Sequence, residues 1–166
     1  MRNLVAIPLL ALAVVLQSAI VPSLALLSGY ADLLLVLLAA WALQEGVDTG
    51  FHWALMAALM MSLVSHLPWF IYAAGYAGVV LLARLLQRRV WQVPLLAMFM
   101  VTFLGTVFMH ALTFVYLRLS GPGVSFSDAT GLVTLPSLLL NLLVAIPVFG
   151  VMRDLARWVF PPAEAA

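Results

Sequence analysis

Six apolar stretches follow one another along this chain, and they constrain its fold more than any other feature. They are Leu4–Val21, Leu33–Leu43, Phe51–Leu67, Trp69–Leu86, Pro94–Leu117 and Val133–Met152. A helix crosses about 30 Å of hydrocarbon with roughly 20 mostly apolar residues. Six such spans and their short connections use up the 166 residues, leaving no length for a soluble domain. Composition excludes the soluble alternative. Hydrophobic residues make up 66% and charged residues 8%, where a soluble domain carries about 25% charged. A chain this short has too much surface for its volume to hide so much apolar side chain from water. The expected fold is all-α: a polytopic membrane protein with six transmembrane helices. They form a single domain over residues 1–160, followed by a short C-terminal tail, 161–166.

The second stretch is the short one. Leu33–Leu43 rises only about 16 Å as a helix. Extending it back to Leu24 runs through Gly29 and Asp32. A short or broken helix is expected, with Asp32 as its N-cap. Arginine placement argues that it still crosses. With six crossings and a cytoplasmic start, Arg2, Arg84, Arg88, Arg89, Arg153 and Arg157 lie inside and only Arg118 outside, as the positive-inside bias requires. Arg84, Arg88, Arg89, Arg153 and Arg157 are the expected cytoplasmic anchors. Tyr30, Trp41, Trp69, Trp91, Tyr116 and Trp158 fall near span ends, where aromatic rings sit at the interface. Arg2 before the first span and Ser23-Leu24-Ala25 after it have the outline of a cleaved leader. An uncleaved first span is the preferred reading, with both termini cytoplasmic.

Little in the sequence can carry chemistry. Seven arginines, no lysine and six acids give a net charge of +1, with no basic stripe to neutralise phosphates. The absence of cysteine excludes disulfides, thiol catalysis and thiolate metal sites. Asp32, Glu45, Asp48, Asp128, Asp154 and Glu164 all fall at span ends, in connections or in the tail, so the chain lacks the paired intramembrane acids of an aspartyl protease. No phosphate-binding glycine loop and no HExxH motif is present. His52, His66 and His110 have no ligand companion at i+3 or i+4. No catalytic residue, no metal and no cofactor is expected.

Small and polar residues recur at four-residue spacing, which places each set on one helix face. These are Ala54, Ala58 and Ser62 (with His66), then Ala74 and Gly78, then Thr102, Thr106 and His110, then Ser137 and Asn141. In lipid such faces let backbones approach and hydrogen-bond. They serve either the protein's own packing or a partner helix. His110 and Asn141 fall at nearly equal depth on consecutive antiparallel spans. The expectation is that they bond one another, with Thr106 and Ser137 completing a seam between spans five and six.

The order of these features resembles the MreD family of bacterial rod-shape-determining membrane proteins. The matching stretches are Asp32-Leu33-Leu34-Leu35-Val36-Leu37-Leu38 and Gly50-Phe51, then Pro68 with the aromatic fourth span and Arg88-Arg89. The last are Leu135-Pro136-Ser137-Leu138-Leu139-Leu140-Asn141, Pro147 and Arg153-Asp154-Leu155-Ala156-Arg157-Trp158. Ala31 stands where the family usually has proline. Ala58 stands near where many members carry an acid, so no role of that acid carries over. The resemblance covers nearly the whole chain. It implies a fold similar to the substrate-binding subunits of energy-coupling-factor transporters. It further implies a non-enzymatic scaffold of the rod complex (elongasome) in the bacterial cytoplasmic membrane. The implied partners are MreC, the glycosyltransferase RodA, a class B penicillin-binding protein and, indirectly, the MreB filament. The competing reading is a small-molecule (vitamin-type) transport subunit of the same fold, which needs a pocket of convergent polar groups. An intramembrane enzyme lacks the acids and thiols that it would use.

Overall fold

The computed structural model describes residues 5–87, 93–121 and 125–160. Arg2, Arg88, Arg89, Trp91 and the expected tail lie outside the described residues. The chain is helical, with no strand among the described residues. Its elements are α1 (Ala6–Ala19), a 3-10 turn (Val21–Leu24), α2 (Leu33–Ala42), α3 (Gly50–Val64), α4 (Trp69–Gln87), α5 (Pro94–Ser120) and α6 (Phe126–Val159). Three helices, α4, α5 and α6, are long and apolar enough to cross a membrane. The first three are apolar but shorter. At 1.5 Å per residue, α1 rises about 21 Å and α2 about 15 Å.

α2 is the axis of the bundle. It packs against α1, α3, α4, α5 and α6, and these follow one another around it as α1, α3, α4, α5, α6. Every residue from Leu34 to Ala42 is buried, as expected of a helix that is apolar all round. Both of its ends are closed by side chains. At the start Asp32 is extended (φ −101°, ψ 91°) and its carboxylate accepts from the Leu35 N–H at 2.9 Å, the cap expected from sequence. At the far end the Gln44 amide donates to the Ala40 carbonyl at 2.8 Å. Gln87 on α4 donates to the Leu43 and Gln44 carbonyls at 3.3 and 3.1 Å. The last carbonyls of a helix lack partners within it, and these two amides supply them. Next to this end Trp41 stacks on Trp53, ring centroids 4.3 Å apart, and its indole N–H donates to the Thr49 hydroxyl at 3.2 Å. Arg84 donates to the Asp48 carbonyl at 2.7 Å and lies over the Phe51 ring. Arg153 meets Asp154 at 3.5 Å on the exposed side of α6, and Arg157 is exposed.

Two sequence expectations change here. The fifth and sixth helices run beyond the apolar stretches Pro94–Leu117 and Val133–Met152. α5 continues to Ser120, and helix resumes at Phe126 through a π-helical stretch, Ala129–Thr134, into the α-helical body of α6. The Thr134 hydroxyl donates to the Ala129 carbonyl at 2.9 Å and so bonds one of the carbonyls in this wider turn. On α4 the packing pair is Gly75 with Gly78, not Ala74 with Gly78. Gly75 lies against Met109 and Gly78 against Phe108, while Ala74 is exposed. One residue turns the helix by about 100°, so the face meeting α5 passes through Gly75 and leaves Ala74 outside it. Gly105 on α5 answers from the other side, against Val79.

Candidate functional site

Among the described residues, the one non-glycine residue at positive φ lies in the chain between α1 and α2. Leu26 and Gly29 exchange two backbone hydrogen bonds of 2.9 Å, closing a tight turn with Leu27 at φ +54°. From there the chain runs alongside α6. The Ser28 N–H donates to the Leu132 carbonyl at 3.1 Å. The Tyr30 N–H donates to Ser137 Oγ at 3.0 Å, and the Asp32 N–H to Asn141 Oδ1 at 2.7 Å. The register follows from geometry. Two extended residues span about 6.6 Å, the rise of between four and five helical residues. Leu132, Ser137 and Asn141 therefore present acceptors at the heights where alternate N–H groups arrive.

Gln17 holds the opposite edge. Its amide nitrogen donates to the Ala31 carbonyl, and its amide oxygen accepts from the Leu33 N–H, both at 2.7 Å. Tyr76 on α4 donates to the Asp32 carboxylate at 3.3 Å. Asn141 donates to Thr106 Oγ1 on α5 at 2.9 Å. Gln17, Thr106, Ser137 and Asn141 are all buried. An extended segment cannot bond its own backbone as a helix does, and buried backbone groups left unbonded are costly. Here the side chains of α1 and α6 do that bonding. Contact is close enough to require glycine: a Cβ on Gly29 would lie 2.6 Å from the Val133 carbonyl oxygen and 2.7 Å from the Ser137 nitrogen.

Thr106 falls near the middle of α5 and Asn141 near the middle of α6. Asp32 is bonded at that level, so α2 is a half-helix. It starts level with the middle of the two longest helices and runs to one side only. Its N-terminus carries partial positive charge, and the Asp32 carboxylate faces it. Chemically, the arrangement fixes backbone. Gln17, Ser137, Asn141 and Thr106 are engaged with main chain or with one another.

The structure distributes the sequence candidates unevenly. Asp32, Thr106, Ser137 and Asn141 come together; the Asn141–Thr106 bond joins the fifth and sixth helices, while Ser137 accepts from the Tyr30 N–H instead of completing that seam. The expected His110–Asn141 bond is replaced. His110 Nδ1 lies 3.1 Å from Thr134 Oγ1, while Asn141 is engaged by Thr106 and by the Asp32 N–H. The physical reason is a third segment, residues 30–32, which takes the Asn141 acceptor. Thr102, one turn from Thr106, is buried without a hydrogen-bond partner. Ala54 and Ala58 are buried on the inner face of α3. Ser62 donates to the Leu59 carbonyl of its own helix, and His52 and His66 are exposed. Sequence pattern does not single out Gln17 or Tyr76. A signal for Gln17 is nonetheless present: it is the one carboxamide in the first apolar stretch, where a polar group at depth needs a reason.

Replacing Gln17 with leucine keeps the volume and strands the Ala31 carbonyl and the Leu33 N–H. The expected loss is about 2 kcal/mol, the scale of an orphaned buried polar group. It is read from the unfolding midpoint of the detergent-solubilised protein in a denaturing-detergent titration. An unchanged midpoint would remove Gln17 from the clamp.

No family model, no curated protein and no solved structure matches this chain.

Proposed function

We propose that this chain is a non-enzymatic membrane scaffold with six crossings and both termini in the cytoplasm. The proposed fold is similar to that of the substrate-binding subunits of energy-coupling-factor transporters, and the proposed place of work is the bacterial rod complex. On this reading α1 and α3 cross despite their length, and α2 is completed across the layer by residues 25–32. The observation that carries the scaffold reading is the use made of the polar residues at mid-depth. Gln17, Ser137 and Asn141 hold the protein's own extended backbone. A group so committed builds a rigid bundle and is not free to bind a solute. The partners come from the sequence resemblance: MreC, RodA, a class B penicillin-binding protein and, through them, the MreB filament. The mechanism is positioning, in which partner helices held against a rigid bundle keep polymerisation and cross-linking of peptidoglycan together.

One observation favours the transport reading. Half-helices that begin at the middle of a bundle are the usual building blocks of solute sites in secondary transporters, and α2 is such a helix. Against it, the head of α2 is occupied by Gln17 and Asn141.

Two experiments test the proposal. Tagged protein purified in mild detergent should bring down a peptidoglycan synthase and a single-span partner, identified by mass spectrometry. Recovery of an ATPase pair or a stoichiometric small molecule instead would favour the transport reading. For topology, the chain has no native cysteine, so single cysteines report cleanly. A Leu119→Cys variant should react with an impermeant maleimide on intact cells, and an Arg157→Cys variant only after permeabilisation. Labelling of both in intact cells would overturn the assignment of sides.

A further inference from the structure

The connection between α1 and α2 differs in chemistry from two of the others. Between Arg2 and Asp32 the sequence holds no charged residue. By contrast, exposed Glu45 and Asp48 serve the α2–α3 connection, and exposed Arg118 and Asp128 flank the one between α5 and α6. The apex between α1 and α2 instead presents Leu24, Leu26 and Leu27, which are 65%, 45% and 71% exposed. Connections facing water are ordinarily polar, because water solvates their backbone. This one is apolar, and part of its backbone is bonded within the protein. Leu26 and Gly29 bond one another, and the Ser28 N–H is taken by the Leu132 carbonyl. The Ser18 and Ser23 hydroxyls before the apex bond carbonyls of their own turns, Val14 and Ile20, both at 2.6 Å. The apex also stops short. Ser28 bonds to Leu132, about one helical turn inside the level of Asp128. In hydrocarbon, irregular backbone is held where protein bonds its polar groups, as happens here at Leu26, Ser28 and Gly29.

We infer that the α1–α2 apex, Leu24 to Ser28, is a lipid-contacting surface that lies beneath the headgroups and is covered by acyl chains rather than by water. The inference rests on the membrane reading proposed above. It adds that the first two crossings are joined just beneath the outer headgroups, with no loop in bulk water. The occupant is the hydrocarbon of the surrounding lipid, chosen because nothing at the apex is charged and its exposed side chains are leucines.

Collision accessibility of spin labels tests this on the full chain reconstituted in phosphatidylcholine–phosphatidylglycerol vesicles. Nitroxides are placed singly at Leu24→Cys and Leu27→Cys, so that a defect at one position does not decide the outcome. Leu119→Cys at the end of α5 is the aqueous reference. Leu139→Cys, exposed near the level of Asn141, is the lipid reference. The ratio of oxygen to nickel-chelate accessibility is expected to be several-fold higher at both apex positions than at Leu119. Nickel accessibility at the apex equal to that at Leu119, with Leu139 still shielded, overturns the inference alone. Nickel access at Leu139 as well overturns the membrane reading and the inference together.

Discussion

An Asn141→Leu variant should lose about 3 kcal/mol of stability, while Thr106→Val should lose about 1 kcal/mol or less. Asn141 donates to Thr106 and accepts from the Asp32 N–H, and the two bonds are unequal. A threonine hydroxyl that loses its partner can turn back to a carbonyl of its own helix. Hydrogen bonds between membrane helices average well under the strength expected for apolar surroundings, because the freed groups find other partners. The Asp32 N–H has no such choice. It belongs to an extended segment pinned on both sides, so leucine leaves it buried and unbonded. The leucine also meets the Thr106 hydroxyl with a methyl group. Denaturing-detergent titration of the two variants and of the double variant separates these terms. Equal losses for the two single variants would show that the side chain–side chain bond dominates and that the clamp on residue 32 is idle.

The second large effect is expected at Gly29, where Gly29→Ala should cost about 3 kcal/mol, the upper end for an inserted methyl group. Overpacking is cheap when a flexible side chain can move aside. Here two of the three nearest atoms are backbone, the Val133 oxygen and the Ser137 nitrogen, and the third is the Pro136 Cβ. None can move without shifting α6. Relief by moving the segment outward would stretch the Ser28 and Tyr30 hydrogen bonds. The control is Gly131→Ala, where a Cβ meets nothing within 4 Å, and which should leave the midpoint unchanged or raise it slightly. If Gly29→Ala unfolded at the same midpoint as Gly131→Ala, the close approach would not exist in the folded protein.

Much of this arrangement is legible in the amino-acid sequence alone. Asp32 ahead of an unbroken leucine run is a helix start, because a short acidic side chain reaches back to the first free N–H groups. The interruption at Gly29 and Asp32 marks the second stretch as broken. Equal depth places the Thr106 and Asn141 helices side by side. What pattern reasoning cannot supply is the third participant. Depth counting treats two helices as a closed pair, so it matches His110 with Asn141 as the two most polar groups. It has no means of placing an extended segment between α1 and α6. Gln17 escapes it for a related reason. Its role depends on where residues 31 and 33 arrive, and helical periodicity says nothing of a stretch that is not helical. Ala74 shows the limit on a finer scale. Four-residue spacing and three-residue spacing describe adjacent faces, and only the position of α5 decides between them.

The hydrogen bonds from Tyr30 and Asp32 to Ser137 and Asn141 join residues 107 and 109 apart in the chain. A ribosome adding about 5–20 residues each second therefore releases the central helix on the order of 5–20 s before its far clamp exists. Through that interval α2 has only neighbours made early. Gln17, sixteen residues before Leu33, is among the first, and the contacts with α3 and α4 come next. The middle of the bundle is thus begun first and finished last. A truncation that ends before α6 would leave the early helices packed around an unfinished core.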